Sequence, residues 1–180
     1  MEEKKVIWIT GLSGAGKTTL AERLVSRIKK PNFSPILLDG DILRQAWAEE
    51  APTNYERQRR IAVGLRYSKI CHILASQGFM VVIATISMFK EIHNWNRKNL
   101  PGYFEVYLKV PISELRRRDK NKIYSKFENA QIKYIAGLDV AVDEPANPDL
   151  VIKFDRENSS TDSAELLIEV LKKHDYLHPD

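Results

Sequence analysis

The chain has 180 residues, 43% hydrophobic and 29% charged, with a net charge of +4, the size and make-up of one globular domain with a real core. No apolar run nears the roughly 18 residues of a membrane span, and Met1-Glu2-Glu3-Lys4-Lys5 shows no leader pattern. The single Cys71 excludes an internal disulfide, so the expectation is one cytoplasmic domain over residues 1–180, without membrane attachment, in which Cys71 fills core.

Residues 5–10 (KVIWIT) read as a first strand, and a helical pattern covers 17–30. Between them Gly11-Leu12-Ser13-Gly14-Ala15-Gly16-Lys17-Thr18 matches G-x-x-x-x-G-K-[ST] at every fixed position. Glycines let the backbone wind tightly and turn its N–H groups inward, so a phosphate oxygen meets several donors together. The following helix adds the positive end of its dipole. Lys17 is then a point charge between the β- and γ-phosphates of ATP, and the Thr18 hydroxyl is a ligand for Mg²⁺. Gly11, Ser13, Gly14, Ala15 and Gly16 line the phosphates with them.

A second strand, 35–39 (PILLD), ends at Asp39, and Leu38-Asp39-Gly40-Asp41-Ile42-Leu43-Arg44 leads into a helix at 42–48. Ligands of doubly wound sheets sit at the carboxyl ends of strands. Asp39 and Asp41 there can serve an acceptor hydroxyl and a metal-bound water, and Arg44 an acceptor anion. The alternative is that both carboxylates only turn the chain and cap the helix, which leaves Arg44 without a purpose.

Further on, helix 55–77 stops at Gly78, strand 79–85 (FMVVIAT) precedes helix 90–99, and strand 103–109 (YFEVYLK) precedes helix 113–119. The polar stretch 119–148, with Gly137, Pro145 and Pro148, carries no apolar stripe and reads as a mobile lid. Strand 150–154 and helix 163–174, with Ser163 as N-cap, complete the chain. Strands alternating with helices predict an α/β P-loop NTPase fold, a parallel sheet with helices on both faces. The basic clusters Arg57, Arg59, Arg60 and Arg116, Arg117, Arg118 flank these motifs. They suit two phosphorylated small molecules, so nucleic acid is not the expected partner.

These residues resemble the adenylylsulfate kinases. The similarity runs from Val6 to Ile152 and rests on GLSGAGKTTLA, LDGD-x-x-R and ANPDLVI. In matching order, Ile86-Ser87-Met88-Phe89-Lys90 stands where that family has I-S-P-[FY]-R, and Arg118-Asp119-Lys120-Asn121-Lys122-Ile123-Tyr124 where it has R-D-x-K-G-L-Y. Residues 132–139 (IKYIAGLD) stand where it has I-K-x-F-T-G-I-D. The resemblance implies transfer of the ATP γ-phosphoryl group to the 3′-hydroxyl of adenylylsulfate in a homodimeric enzyme. It implies ATP contacts at Thr19 and Arg118 as well as on the loop, catalytic roles for Lys17, Asp39, Asp41 and Ser87, and Mg²⁺ on Thr18 and Asp39. Acceptor contacts fall on Asp41, Arg44, Tyr55, Arg60, Ile86, Ser87, Lys122 and Ile135. Tyr55 takes the place of an aromatic that stacks on the acceptor base, and Arg60 that of the arginine gripping the phosphosulfate. Ser87 matches a serine sometimes drawn as a phosphorylated intermediate, but positioning and charge neutralisation favour direct in-line transfer.

The departures lie on the acceptor side. A family Asn becomes Val63, the lid Phe completing the base sandwich becomes Ile135, the lid Lys becomes Asn121, and P-Y-E becomes Ala141-Val142-Asp143. Stacking is worth roughly 1–3 kcal/mol per base, so Ile135 weakens the case for a purine. Adenylylsulfate is the first expectation; a cytosine nucleotide with the same anionic tail, cytidine diphosphoramidate, is the alternative. A regulatory nucleotide switch or an inactive scaffold fits less well, because Lys17, Thr18, Asp39 and Asp41 are all present beside acceptor-type residues.

Overall fold

The computed structural model describes residues 5–31, 33–47, 56–119, 122–155 and 160–177. Five strands, β1 (Val6–Thr10), β2 (Ile36–Asp39), β3 (Val81–Ala84), β4 (Tyr103–Lys109) and β5 (Leu150–Lys153), form one sheet in the order β2-β3-β1-β4-β5, and every pair is parallel. The helices are α1 (Lys17–Ile28), α2 (Gly40–Ala46), α3 (Arg57–Ser76), α4 (Lys90–Asn99), α5 (Ile112–Arg118), α6 (Ile123–Glu128) and α7 (Ser160–Lys173). Among the described residues no helix is long and apolar enough to cross a membrane.

The apolar strands read as continuous because both faces of the sheet are covered. Ile7, Ile9, Val82, Ala84 and Val106 join Leu20 and Leu24 of α1 and Leu167 and Leu171 of α7 in one core. Their neighbours Val6, Trp8, Val81 and Ile83 point the other way, toward Tyr67 and Cys71 of α3 and Ile92 of α4. The period of two along each strand thus divides one hydrophobic run between two cores. Cys71 is fully buried and burial pushes its thiol up to about 12, so it is inert packing, as expected.

Parallel register brings the site together. Asp39 and Ile9 are both level with Ala84, so β1, β2 and β3 release their loops at one edge. β1 lies between β3 and β4, and the chain leaves it for α1 at this switch point, where α/β sheets open a crevice.

Several boundaries differ from the sequence reading. The last helix begins at Ser160, which places Ser163 inside its first turn instead of at the cap. β3 is only four residues long, and Phe79 before it is largely exposed. Gly78, at φ +94, closes the end of α3 as expected, with its N–H on the carbonyl of Ala75 at 3.0 Å. Helix α6 lies inside the stretch read as a mobile lid, where no helix was expected. Asp119 explains it: its carboxylate accepts from the backbone N–H of Tyr124 (2.9 Å) and Ser125 (3.0 Å), capping the first turn of a helix that starts at Ile123.

Candidate active site

The loop after β1 is shaped by its glycines. A Cβ on Gly11 would stand 2.8 Å from the carbonyl oxygen of Leu108, so no larger residue fits there. Gly16, at φ +98, is the N-cap of α1, whose first turn carries no acidic side chain. No acidic side chain of that turn competes with a phosphate for the positive end of the helix.

Lys17 is half-buried and donates to the carbonyl of Leu12 at 2.8 Å. That contact latches the side chain onto the loop's own backbone. Burial lowers its ammonium from 10.5 to about 8; the Asp39 carboxylate opposes the shift and the Arg44 guanidinium adds to it. Thr18 and Thr19 are exposed.

Asp39 reconciles the two readings made of it. Its Oδ1 accepts from the N–H of Asp41 (2.7 Å) and Ile42 (3.4 Å), so it is the N-cap of α2, which starts at Gly40 and not at 42. Its Oδ2 accepts from the Thr18 hydroxyl at 2.7 Å. One carboxylate thus closes a helix and faces the phosphate loop. Asp41 stands exposed and pairs with Arg44 one turn along α2. Gly40 is pressed between neighbours: a Cβ would be 3.1 Å from the Thr85 hydroxyl and 3.5 Å from the ring of Tyr67.

From β3 comes the third wall. Ser87 is buried with φ +31, a strained backbone for a serine. Its hydroxyl shares a hydrogen bond of 2.9 Å with that of Thr85, and a Cβ on Gly64 of α3 would approach it to 3.1 Å. Ile86 is half-buried, with its carbonyl accepting from the Thr10 hydroxyl.

The segment after α5 closes over the loop. Buried Tyr124 donates its hydroxyl to the carbonyl of Ser13 at 2.8 Å. A Cβ on Gly137 would meet Leu12 at 2.8 Å. Ala136 and Val140 are buried, so the stretch read from sequence as a polar, mobile lid has apolar side chains packed beneath it. Asp143 accepts from Arg57 (2.8 Å) and from the N–H of Lys90 (2.9 Å), supplying α4 with a cap from outside the helix. Arg60 donates to the carbonyl of Tyr134, and the carboxylate of Asp139 holds the N–H groups of Tyr134 and Ile135. Ile135 is half-buried at that turn, and Lys122 is exposed at the start of α6. Val63, however, is buried in the core of α3, so its side chain does not stand open to the acceptor.

Arg118 donates to Glu114 at 2.7 Å and lies 4.8 Å over the ring of Phe154. Tyr55 lies outside the described residues. Sequence reasoning assigned nothing to Tyr124, although the matched R-D-x-K-G-L-Y run contains it; its position in that run was the available signal.

The Thr18 hydroxyl and the Asp39 carboxylate, 2.7 Å apart, form a hard oxygen pair beside the loop. No cluster of three His, Cys, Asp or Glu exists among the described residues. Such a pair fits Mg²⁺, which takes few protein ligands and completes its octahedron with water and phosphate.

Known proteins extend this picture. The profile of the family described as Adenylylsulphate kinase matches residues 3–153. A cytidine diphosphoramidate kinase of Campylobacter jejuni is 40% identical over 166 residues, 92% of this chain and 95% of that one. An adenylyl-sulfate kinase of Picosynechococcus is 31% identical over 180 residues, covering 99% of this chain and 100% of the other. Among solved structures, the APS kinase CysC of Mycobacterium tuberculosis in complex with AMPPNP and APS superposes with a TM-score of 0.83 at 29% identity, covering 93% and 97% of the two chains.

Proposed function

The chain belongs to the adenylylsulphate kinase family, and we propose that within it this protein transfers the ATP γ-phosphoryl group to the 3′-hydroxyl of a cytosine nucleotide with a small anionic tail, of the cytidine diphosphoramidate type. The observation carrying the acceptor is Ile135. Its turn is built, with Asp139 holding two N–H groups and Arg60 on the adjacent carbonyl, but the side chain it presents is aliphatic. A single aromatic face at Tyr55 suits a small pyrimidine better than a purine that needs a sandwich. The 40% identity to a cytidine diphosphoramidate kinase supports the same reading, against 31% to an adenylyl-sulfate kinase. Adenylylsulfate, the first expectation from sequence, becomes the second reading; the matching family profile favours it.

In this reading the loop N–H groups and Lys17 hold the β- and γ-phosphates, while Thr18 and Asp39 hold Mg²⁺. Mg²⁺, when bound, neutralises charge on the phosphates. Asp41 and Arg44 stand across from Lys17 to orient the acceptor hydroxyl and its anion. Ser87, already hydrogen-bonded to Thr85 and enclosed by Gly64, positions the acceptor instead of carrying the phosphoryl group. The attack is in line, and the protein's contribution is alignment and charge. Segment 122–143, resting on Leu12 and Ser13, excludes water from the γ-phosphate.

The test is a panel of acceptors, cytidine diphosphoramidate, cytidine diphosphate and adenylylsulfate, each incubated with ATP and Mg²⁺ while ADP release is followed. Highest kcat/KM with the cytosine compounds is expected. A clear preference for adenylylsulfate overturns the pyrimidine reading and leaves the second.

A further inference from the structure

The first turn of α3 carries an arginine that the reading above leaves without a role. Arg57 stands seven residues before Gly64, so both positions fall on one face of the helix. Gly64 packs that face against Ser87 and Ile92, which turns Arg57 toward the start of α4. There its guanidinium lies 4.9 Å from the ring centroid of buried Phe89. It donates to Asp143 at 2.8 Å and, less closely, to Glu91 at 3.2 Å. The Arg57 and Asp143 side chains are 30% and 37% exposed. Ion pairs that open to water add little stability, so stability is a poor reason for this one.

What sets the pair apart is the turn that Asp143 holds. Its Oδ2 also accepts from the N–H of Lys90 (2.9 Å), and its own N–H donates to the carbonyl of Met88 (2.8 Å). The N–H of Lys90 and the Arg57 guanidinium keep its carboxyl below the usual range, so it is ionised at neutral pH. Inside the same turn the N–H of Phe89 donates to the carbonyl of Ser87 at 3.0 Å. Ser87 sits at φ +31, and strained backbone of this kind persists only where its surroundings over-determine it. Thr85 and Gly64 confine its side chain. Asp143 and Arg57 confine its backbone through Met88, Phe89 and Lys90. Asp143 is also the far end of the segment that rests on the phosphate loop, and Arg60, one turn along α3 from Arg57, holds that segment at Tyr134.

We infer that Arg57 is a positioning residue for the acceptor side of the site, acting through Asp143 to fix the Ser87 turn against the end of the lid segment. The inference rests on the reading of Ser87 as the hydroxyl that positions the acceptor, and it adds a residue outside the motifs that carry the family resemblance. In this role Arg57 touches no reacting atom. It sets two segments together across 86 positions of sequence, and a displacement of about 1 Å in such a support can cost up to about 10²-fold in rate.

The experiment compares the whole wild-type chain with Arg57→Gln, Asp143→Asn and the double variant, and takes Glu91→Gln as the control. ADP release is followed with ATP, Mg²⁺ and whichever of cytidine diphosphoramidate and adenylylsulfate the wild type uses better. Asp143→Asn keeps an oxygen for the N–H of Lys90 and removes only the charge. Each single variant should lower kcat about tenfold with the KM for ATP within about twofold, and with little change in melting temperature. The double variant should be no slower than the slower single, because both remove the same link. Glu91→Gln should keep kcat within about twofold, since the pair with Arg57 is longer there. Without ligand, amide exchange at Lys90 and Asp143 should quicken in both single variants. Faster exchange with unchanged kcat overturns the positioning role, because the pair then only packs locally. Losses that multiply in the double variant overturn it too, as does an equal loss in Glu91→Gln. Absence of ADP release by the wild type with every nucleotide acceptor instead defeats the kinase reading beneath it, and the role of Arg57 falls with that reading.

Discussion

The hydroxyl of Thr18 donates to Oδ2 of Asp39 across 2.7 Å, joining the first turn of α1 to the end of β2 over 21 positions of sequence. Because Oδ1 of the same carboxylate caps α2, the phosphate loop and α2 share one side chain.

Asp39→Asn keeps an oxygen for the cap but removes the charge from the oxygen pair. Turnover should fall by about 10²-fold or more, comparable to losing one preorganised electrostatic group, with little change in melting temperature. Asp39→Ala should lose the same activity and also about 1 kcal/mol of stability, the usual worth of an N-cap. Near-normal kcat in Asp39→Asn would remove this residue from the site.

Lys17 titrates at about 8 in the free protein, and only its protonated form attracts phosphate. Raising the pH from 7 to 9 should therefore weaken binding of an ATP analogue, with the inflection near 8. Phosphate binding restores the charge, so the proton is taken up on binding in that window. Lys17→Met should bind weakly at every pH with the slope gone. Calorimetric titrations at several pH values decide it; flat affinity in the wild type contradicts the lowered ammonium.

At Gly64 a Cβ would fall 2.2 Å from Cδ1 of Ile92 and 3.1 Å from the Ser87 hydroxyl. Alanine improves helix propensity by up to about 1 kcal/mol, but overpacking of this kind costs about 1–3 kcal/mol. Gly64→Ala should be destabilised on balance and should lose kcat as Ser87 is pushed aside. Ile92→Val deletes the offending methyl, so the double variant should regain stability. Denaturant midpoints of the four proteins test this, and simple additivity refutes the clash.

Tyr124→Phe deletes the hydroxyl that reaches Ser13. About 1 kcal/mol of tethering should go, amide exchange across 123–140 should quicken, and the KM for ATP should rise a fewfold. Ligand should slow exchange in this segment of the wild-type protein if it closes over the γ-phosphate. Unchanged exchange in both comparisons shows that the segment is rigid and the tether idle.

Ile135→Phe adds a second aromatic face to the turn held by Asp139. It should improve kcat/KM for adenylylsulfate about tenfold, the lower part of the roughly 1–3 kcal/mol of base stacking, and shift preference from cytosine toward adenine. A preference for adenylylsulfate in the wild type, unmoved by the substitution, would show that position 135 does not select the base.

The motif at Gly11–Thr18 and the strand and helix flanking it were legible in the sequence, because each depends on neighbours within a few residues. Hydrophobic runs likewise announced strands covered on both faces. Which strands pair was not legible: β3 lies between β1 and β2, and parallel register, not sequence distance, levels Asp39 with Ile9. Sequence left Asp39 as either cap or site residue, while the fold gives one oxygen to the cap and the other to the Thr18 hydroxyl. Val63 looked like a lost acceptor contact until packing put it in the core. Helix α6 was missed because it is only six residues long, with its capping carboxylate outside it at Asp119. The strain at Ser87, the reach of Tyr124 to Ser13 and the pairing of Arg57 with Asp143 depend on contacts between distant segments. Local patterns fix what a residue can do chemically; only packing at a distance decides which groups it meets.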